Sequence, residues 1–191
     1  FSMVQSMLNA RLNELTQTAQ PPFIAAMAED GDFLLAKTPS AFAGLVVTKE
    51  NDIPNGFAAL VRELERAKKF GFTASEYARA KADYLRYLES AYNERSKTRN
   101  SQYVNEYVRH FLDNEPIPGI ETEYALMNQI APNIPLEAIN TVLPQIITDE
   151  NIVINVFGPD KEGVTYPTEE EILNVLKSVK AEELTAYVDK V

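Results

Sequence analysis

Hydrolytic or transfer chemistry needs a nucleophile, a proton carrier or a metal, and this chain is poor in all three. It has one histidine, His110 in "VRHFLDNE", and no cysteine. His110 and Asp113, three residues apart on a helical stretch, offer two donors, whereas a zinc site needs three or four converging ligands. A Ser-His-Asp group would also have to use His110, and no Gly-x-Ser-x-Gly elbow occurs. Without cysteine, disulfides and thiolate metal sites are excluded. Carboxylates are plentiful at Glu29/Asp30/Asp32, Glu169/Glu170/Glu171 and Glu182/Glu183. The second group falls in the first turn of a predicted helix, where the macrodipole favours negative charge, so solvated charge is the simpler reading than acid–base catalysis. Seven scattered glycines form no phosphate-cradling loop. No catalytic residue, no metal ligand and no substrate-binding residue is assigned, and the segment alone is not expected to be an enzyme.

Two features could still bind a ligand. Tyr77, Ala80, Tyr84, Tyr87 and Ala91 fall on one helical stripe that could stack a ligand, although a stripe packed on a sheet is the commoner arrangement. Arg95, Lys97 and Arg99 end the same long helix, where cations complement the dipole. An acidic-peptide groove is the alternative for them.

The elements that must position these groups follow from pattern. Met3, Val4, Met7, Leu8, Arg11, Leu12 and Leu15 recur at i, i+3, i+4, which predicts a helix over 2–20 that stops at Pro21-Pro22. This helix is already under way at the first residues, so the chain reads as a fragment of a longer protein. Residues 23–38 and 41–50 read as adjacent strands. A helix after Pro54-Asn55-Gly56 ends at Phe70-Gly71, with Gly71 suited to a positive-φ stop. Thr73 and Glu76 spell a capping box, with Phe72 and Tyr77 placed as a hydrophobic staple, for a long helix to about Thr98. Further helices are predicted over 101–113, 121–130 and 136–146. "NIVINVFGP", residues 151–159, reads as a buried strand. A second capping box, Thr168/Glu171, opens a helix to about Ser178, and the tail reads as a short helical turn or linker. Strands segregated from helices predict an α+β fold with helices packed on one face of a mainly antiparallel sheet.

The chain has 191 residues, enough for one medium domain or two small ones, and a formal net charge of −10. That charge argues against a nucleic-acid partner. No apolar run is long enough for a membrane-spanning helix.

Several of these pieces, in order, resemble pitrilysin/insulinase-type zinc metallopeptidases. "MLNARLNEL" is similar to that family's Leu-x-x-Arg-Leu-x-Glu helix, here Leu8, Arg11, Leu12 and Glu14. "LVRELERAKKFGFTASEYARAKADYL" contains the Gly-Phe-Thr-x-x-Glu segment, here Gly71, Phe72, Thr73 and Glu76. "IVINVFGP" matches the late strand. The resemblance implies related α+β domains closing around a peptide-degrading chamber, with zinc on a His-x-x-Glu-His helix of another domain. It alone implies that the sheet of this chain lacks its first strands. One histidine cannot spell that motif, so the resemblance implies the second, inactive domain of the N-terminal half. On this reading residues 1–185 form one domain and 186–191 begin an inter-domain linker. No cofactor belongs to this segment, and zinc belongs to the parent protein's catalytic domain. The partners implied are other domains of the same polypeptide and a peptide substrate, with homo-oligomerisation open. The family also pairs an Arg with a Tyr in its last domain; Arg11 has no tyrosine shortly after it, so no substrate-binding pair is carried over. The compartment is unknown from the chain; the resemblance suggests the periplasm or cell envelope. The same fold also serves as a non-proteolytic structural subunit of respiratory complexes, which is the alternative, and a peptide-binding module is a third reading.

Overall fold

The computed structural model describes residues 2–32 and 40–189. Its elements are α1 (Ser2–Thr16), β1 (Ala25–Asp32), β2 (Ser40–Val47), α2 (Ile53–Phe70), α3 (Ala74–Asn93), α4 (Asn100–Asp113), α5 (Gly119–Ile130), α6 (Leu136–Ile146) and α7 (Glu169–Lys180). The fold is α+β, as expected. The chain divides into two compact units, one of Phe1–Tyr77 with Leu136–Val191 and one of Ala78–Pro135.

In the first unit, the stripe of α1 buries Val4, Met7, Leu8, Arg11 and Leu12, and α1 packs on β1. Asn9 fixes that contact, donating to the Ala28 carbonyl at 3.0 Å and accepting from the Ala28 N–H at 2.7 Å. β1 and β2 pair antiparallel with Ala25 opposite Val47 and Met27 opposite Leu45. Since side chains alternate across a strand, Met27, Leu45 and Val47 share one sheet face, and all three are exposed.

Helix α2 covers β2. Gly44 lies where a Cβ would reach the Leu60 side chain at 3.2 Å, and Gly56 lies where one would collide with Thr48. These contacts show β2 running opposite in direction to α2. The far side of α2 packs on α7, which buries Ile172 and Val179. The Thr168 capping box forms as read: Glu171 N–H donates to Thr168 Oγ1 at 3.2 Å, and Thr168 N–H donates to Glu171 Oε2 at 2.7 Å.

In the second unit, Tyr92 stacks on Tyr124 with centroids 4.8 Å apart. Arg95 lies over the Tyr92 ring at 4.3 Å and pairs with Glu121 at 3.0 Å. The aromatic and aliphatic face of α4 is open, with Phe111 86% exposed.

Four sequence expectations need correction. The first helix ends at Thr16 rather than Gln20: the Gln17 and Thr18 N–H groups donate to the Glu14 and Leu15 carbonyls at 3.1 and 3.4 Å, tighter three-residue turns that close the helix before the prolines. The long helix ends at Asn93, followed by a 3-10 turn over Arg95–Lys97 rather than continuing to Thr98. Residues 183–189 form no helical turn. Residues 152–160 adopt no ladder pairing among the described residues and are mostly exposed instead of buried. The part of the first predicted strand over 33–38 lies outside the described residues.

Candidate functional site

The most organised polar cluster is built around Arg11, whose burial is set by α1 itself. Arg11 occupies the apolar stripe between Leu8 and Leu12, and only 2% of it is exposed. A buried guanidinium is destabilising unless an opposite charge and hydrogen-bond acceptors compensate it. Glu76 supplies both. Arg11 Nε donates to Glu76 Oε1 at 2.6 Å and Nη2 donates to Glu76 Oε2 at 2.9 Å, a bidentate pair. Nη2 also donates to the Gly71 carbonyl at 3.0 Å.

Aromatic faces close the cluster. The guanidinium carbon lies 4.9 Å from the centre of the Phe72 ring and 4.3 Å from that of Tyr187. Among the described residues Nη1 finds no hydrogen-bond acceptor, and the negative ring faces take up its charge. The Tyr187 hydroxyl donates to Glu14 Oε1 at 2.6 Å. Burial, then Glu14, pushes the phenol well above its usual pKa.

Local sequence places each partner. Glu76 is the third helical residue of α3, where its carboxylate also accepts from the Thr73 N–H at 2.7 Å while Thr73 Oγ1 accepts from the Glu76 N–H at 3.2 Å. The capping box was legible in sequence, but the second duty of its glutamate was not. Gly71 ends α2 at φ 72°, which turns its carbonyl toward Arg11. Asn140 of α6 locks that corner, accepting from the Phe72 N–H at 2.9 Å and donating to the Phe72 carbonyl at 3.3 Å.

The tail follows the same surface. Glu182 makes a bidentate pair with Arg62, with Nε donating at 2.6 Å. Arg66 donates to the Thr185 carbonyl at 3.1 Å, and Ser75 donates to Asp189. Residues 182–189 are thereby strapped across α2, the start of α3 and α1. A tyrosine does meet Arg11, then, but it comes from the far end of the chain. Its only sequence signal was an arginine on an apolar stripe.

The other sequence candidates do not converge. His110 is exposed, its Nδ1 2.6 Å from the Glu115 carbonyl oxygen. Among the described residues no group of three or more His, Asp or Glu could hold a metal ion. Of the tyrosine stripe, Tyr77 is buried while Tyr87 is 67% exposed, so the stripe is not one packed face. The Glu169–Glu171 triplet lies in the first turn of α7, and Glu171 serves the cap.

One exposed carboxylate has a clear electrostatic role. Asp149 Oδ1 accepts from Lys180 Nζ at 2.7 Å and Lys68 Nζ at 2.9 Å. Hydrogen bonds from these two ammonium groups hold its pKa down to about 2. A depressed folded-state pKa gives stability that is present above the unfolded value and lost as pH falls through the folded one. Asp149→Asn should therefore be less stable than the parent chain at neutral pH, with the difference closing between about pH 4 and pH 2. Thermal unfolding of both proteins across that range checks this, and a constant difference down to pH 2 would contradict it.

The chain is thus an α+β fold organised around a buried arginine–glutamate pair. Its fold is that of pitrilysin/insulinase-type proteases, and the resemblance drawn from its motifs is borne out. No family model matches the chain. The chain is 25% identical over 189 residues to a zinc protease PQQL-like protein of Arabidopsis thaliana, covering 99% of itself but 16% of that relative. It superposes on the first half of the periplasmic protease PqqL from Escherichia coli with a TM-score of 0.74 at 18% identity, covering 98% of this chain and 40% of that one. A predicted insulinase family protease from Yersinia pestis gives 0.74 at 11% identity, covering 94% and 38%. The chain thus spans well under half the length of each.

Proposed function

We propose that this chain is a non-catalytic domain of a zinc-dependent metallopeptidase, forming part of the wall of a peptide-degrading chamber and supporting a catalytic domain elsewhere in the same polypeptide. The observation that carries this reading is a contrast. The chain is similar along 99% of its length to a zinc protease, yet its single histidine cannot spell a two-histidine zinc motif. Zinc then belongs to the parent protein's catalytic domain, and the likeness to the first half of a longer protease favours the second domain of an N-terminal half. An enclosing wall would exclude folded proteins and admit extended peptides. The Escherichia coli neighbour is a periplasmic protease, which supports the periplasm or cell envelope as the parent's compartment in this reading; no helix of the described residues is long and apolar enough to cross a membrane.

The test compares two proteins. The 191-residue chain should hydrolyse no unstructured peptide, such as a fluorogenic decapeptide, with or without added zinc. The longer parent should hydrolyse it and lose activity to a chelator. Zinc-dependent turnover by a clean preparation of the short chain would overturn the assignment. An inactive parent lacking a His-x-x-Glu-His segment would favour a structural protein of the same fold.

A further inference from the structure

We propose that residues 182–189 are a latch: a segment of the folded domain that is fastened through side chains and opens and closes without unfolding the rest. After α7 the backbone takes up neither helix nor ladder over residues 183–189. Among the described residues, no backbone group of residues 183–188 pairs with another backbone group. The segment is nevertheless placed. Glu182, Leu184, Tyr187 and Asp189 are half-buried, whereas Glu183, Thr185, Ala186 and Val188 are exposed, the pattern of a segment laid along a surface with one side down. Its fastenings reach α1, α2 and the first turn of α3. Glu182 accepts from Arg62 Nε at 2.6 Å and Nη2 at 2.7 Å, and the Thr185 carbonyl accepts from Arg66 Nε at 3.1 Å. The Tyr187 ring lies 4.3 Å from the Arg11 guanidinium carbon while its hydroxyl donates to Glu14 at 2.6 Å, and Asp189 accepts from Ser75.

Two properties let such a segment open by itself. None of residues 182–189 is fully buried, so its departure uncovers little apolar surface, and segments with few buried apolar contacts open at the lowest cost. Its outer fastening is also wet: the Arg62 and Glu182 side chains are 33% and 36% exposed, and water replaces bonds of that kind readily. The core beneath does not depend on the tail. Arg11 keeps both bonds to Glu76 and its bond to the Gly71 carbonyl when the tail leaves, because none of them uses a tail atom. What Arg11 loses is one of its two ring faces. Tyr187 is therefore the catch, since its ring and its hydroxyl are both engaged on α1. A domain that ended at residue 185 would leave Tyr187 and Asp189 outside, so the latch carries the folded domain on to Asp189. If the parent continues past this tail, as the proposed function has it, opening would add the eight residues of the latch to the tether, up to about 26 Å of chain.

The absence of cysteine makes the test direct. Val188→Cys, at a position 76% exposed, gives the 191-residue chain a single attachment point for a nitroxide label, and the electron paramagnetic resonance line shape reads how freely the tail moves. The fast-moving fraction should be under about 10%, the upper range for a minor state, and adding Tyr187→Ala should raise it at least about five-fold by removing the catch. Tyr187→Phe keeps the ring over Arg11 and loses only the bond to Glu14, so it should fall between the two. Far-UV circular dichroism of labelled Tyr187→Ala should match that of the labelled chain with Tyr187 in place. A label that already moves fast with Tyr187 in place would overturn the proposal by making the tail a free linker. A label still slow in Tyr187→Ala would overturn it by denying Tyr187 the fastening role. So would a label freed only together with a loss of helix, because the tail would then open with the domain and not by itself. Peptidase activity enters none of these readings, so the latch stands or falls separately from the proposed function.

Discussion

Arg11→Ala is expected to cost about 3–5 kcal/mol of stability, the range seen when one partner of a buried ion pair is removed. The substitution leaves the Glu76 carboxylate, 4% exposed and shaped to a bidentate donor, without its cation. It also removes the charge stacked between Phe72 and Tyr187. For a chain of this size the midpoint of thermal unfolding should fall by about 6–20 °C. Arg11→Lys should recover little, because one ammonium cannot reproduce the two parallel bonds to Glu76 and the bond to the Gly71 carbonyl. The double variant Arg11→Met with Glu76→Leu should be more stable than Arg11→Ala, since no buried charge is then stranded. Equilibrium urea unfolding of the four proteins settles the matter. A loss under about 1 kcal/mol for Arg11→Ala would mean that the pair is not the clamp its geometry describes.

Gly71→Ala should cost a comparable amount, about 3–5 kcal/mol. Gly71 sits at φ 72°, ψ −166°, a region almost closed to residues with a Cβ, and forcing one there costs about 1–3 kcal/mol. The added Cβ would also lie 2.5 Å from Asn140 Cγ. Asn140 would have to withdraw from its two bonds to Phe72, each worth about 1 kcal/mol. The two costs can be separated. In an Asn140→Ala background the collision and the bonds are already gone, so Gly71→Ala should there show only the backbone term. Equal losses in both backgrounds, measured by denaturant midpoints, would reject the contribution of Asn140.

Much of the local structure was legible because local rules decide it. Both capping boxes form between residues three apart, and the bounds of α6 follow a strong apolar period, so no distant atom is needed to predict either. Arg11 shows where that legibility ends. Its position on an apolar stripe was plain, and burial of that stripe followed. Its partners Glu76 and Tyr187 lie 65 and 176 positions away in sequence, and nothing local could pair them. The segments that carried the family resemblance, Arg11 and Glu14 on one side and Gly71, Phe72 and Glu76 on the other, meet in that one cluster.

Residues 151–159 mark the same boundary from the opposite direction. Their composition states a strand, and they take up neither helix nor ladder among the described residues, because a strand is completed by the hydrogen bonds of a neighbour. A helix closes its bonds within its own segment, so its sequence can determine it almost alone. A strand and a buried charge both depend on what arrives from elsewhere, and that is decided only when the chain has folded in three dimensions.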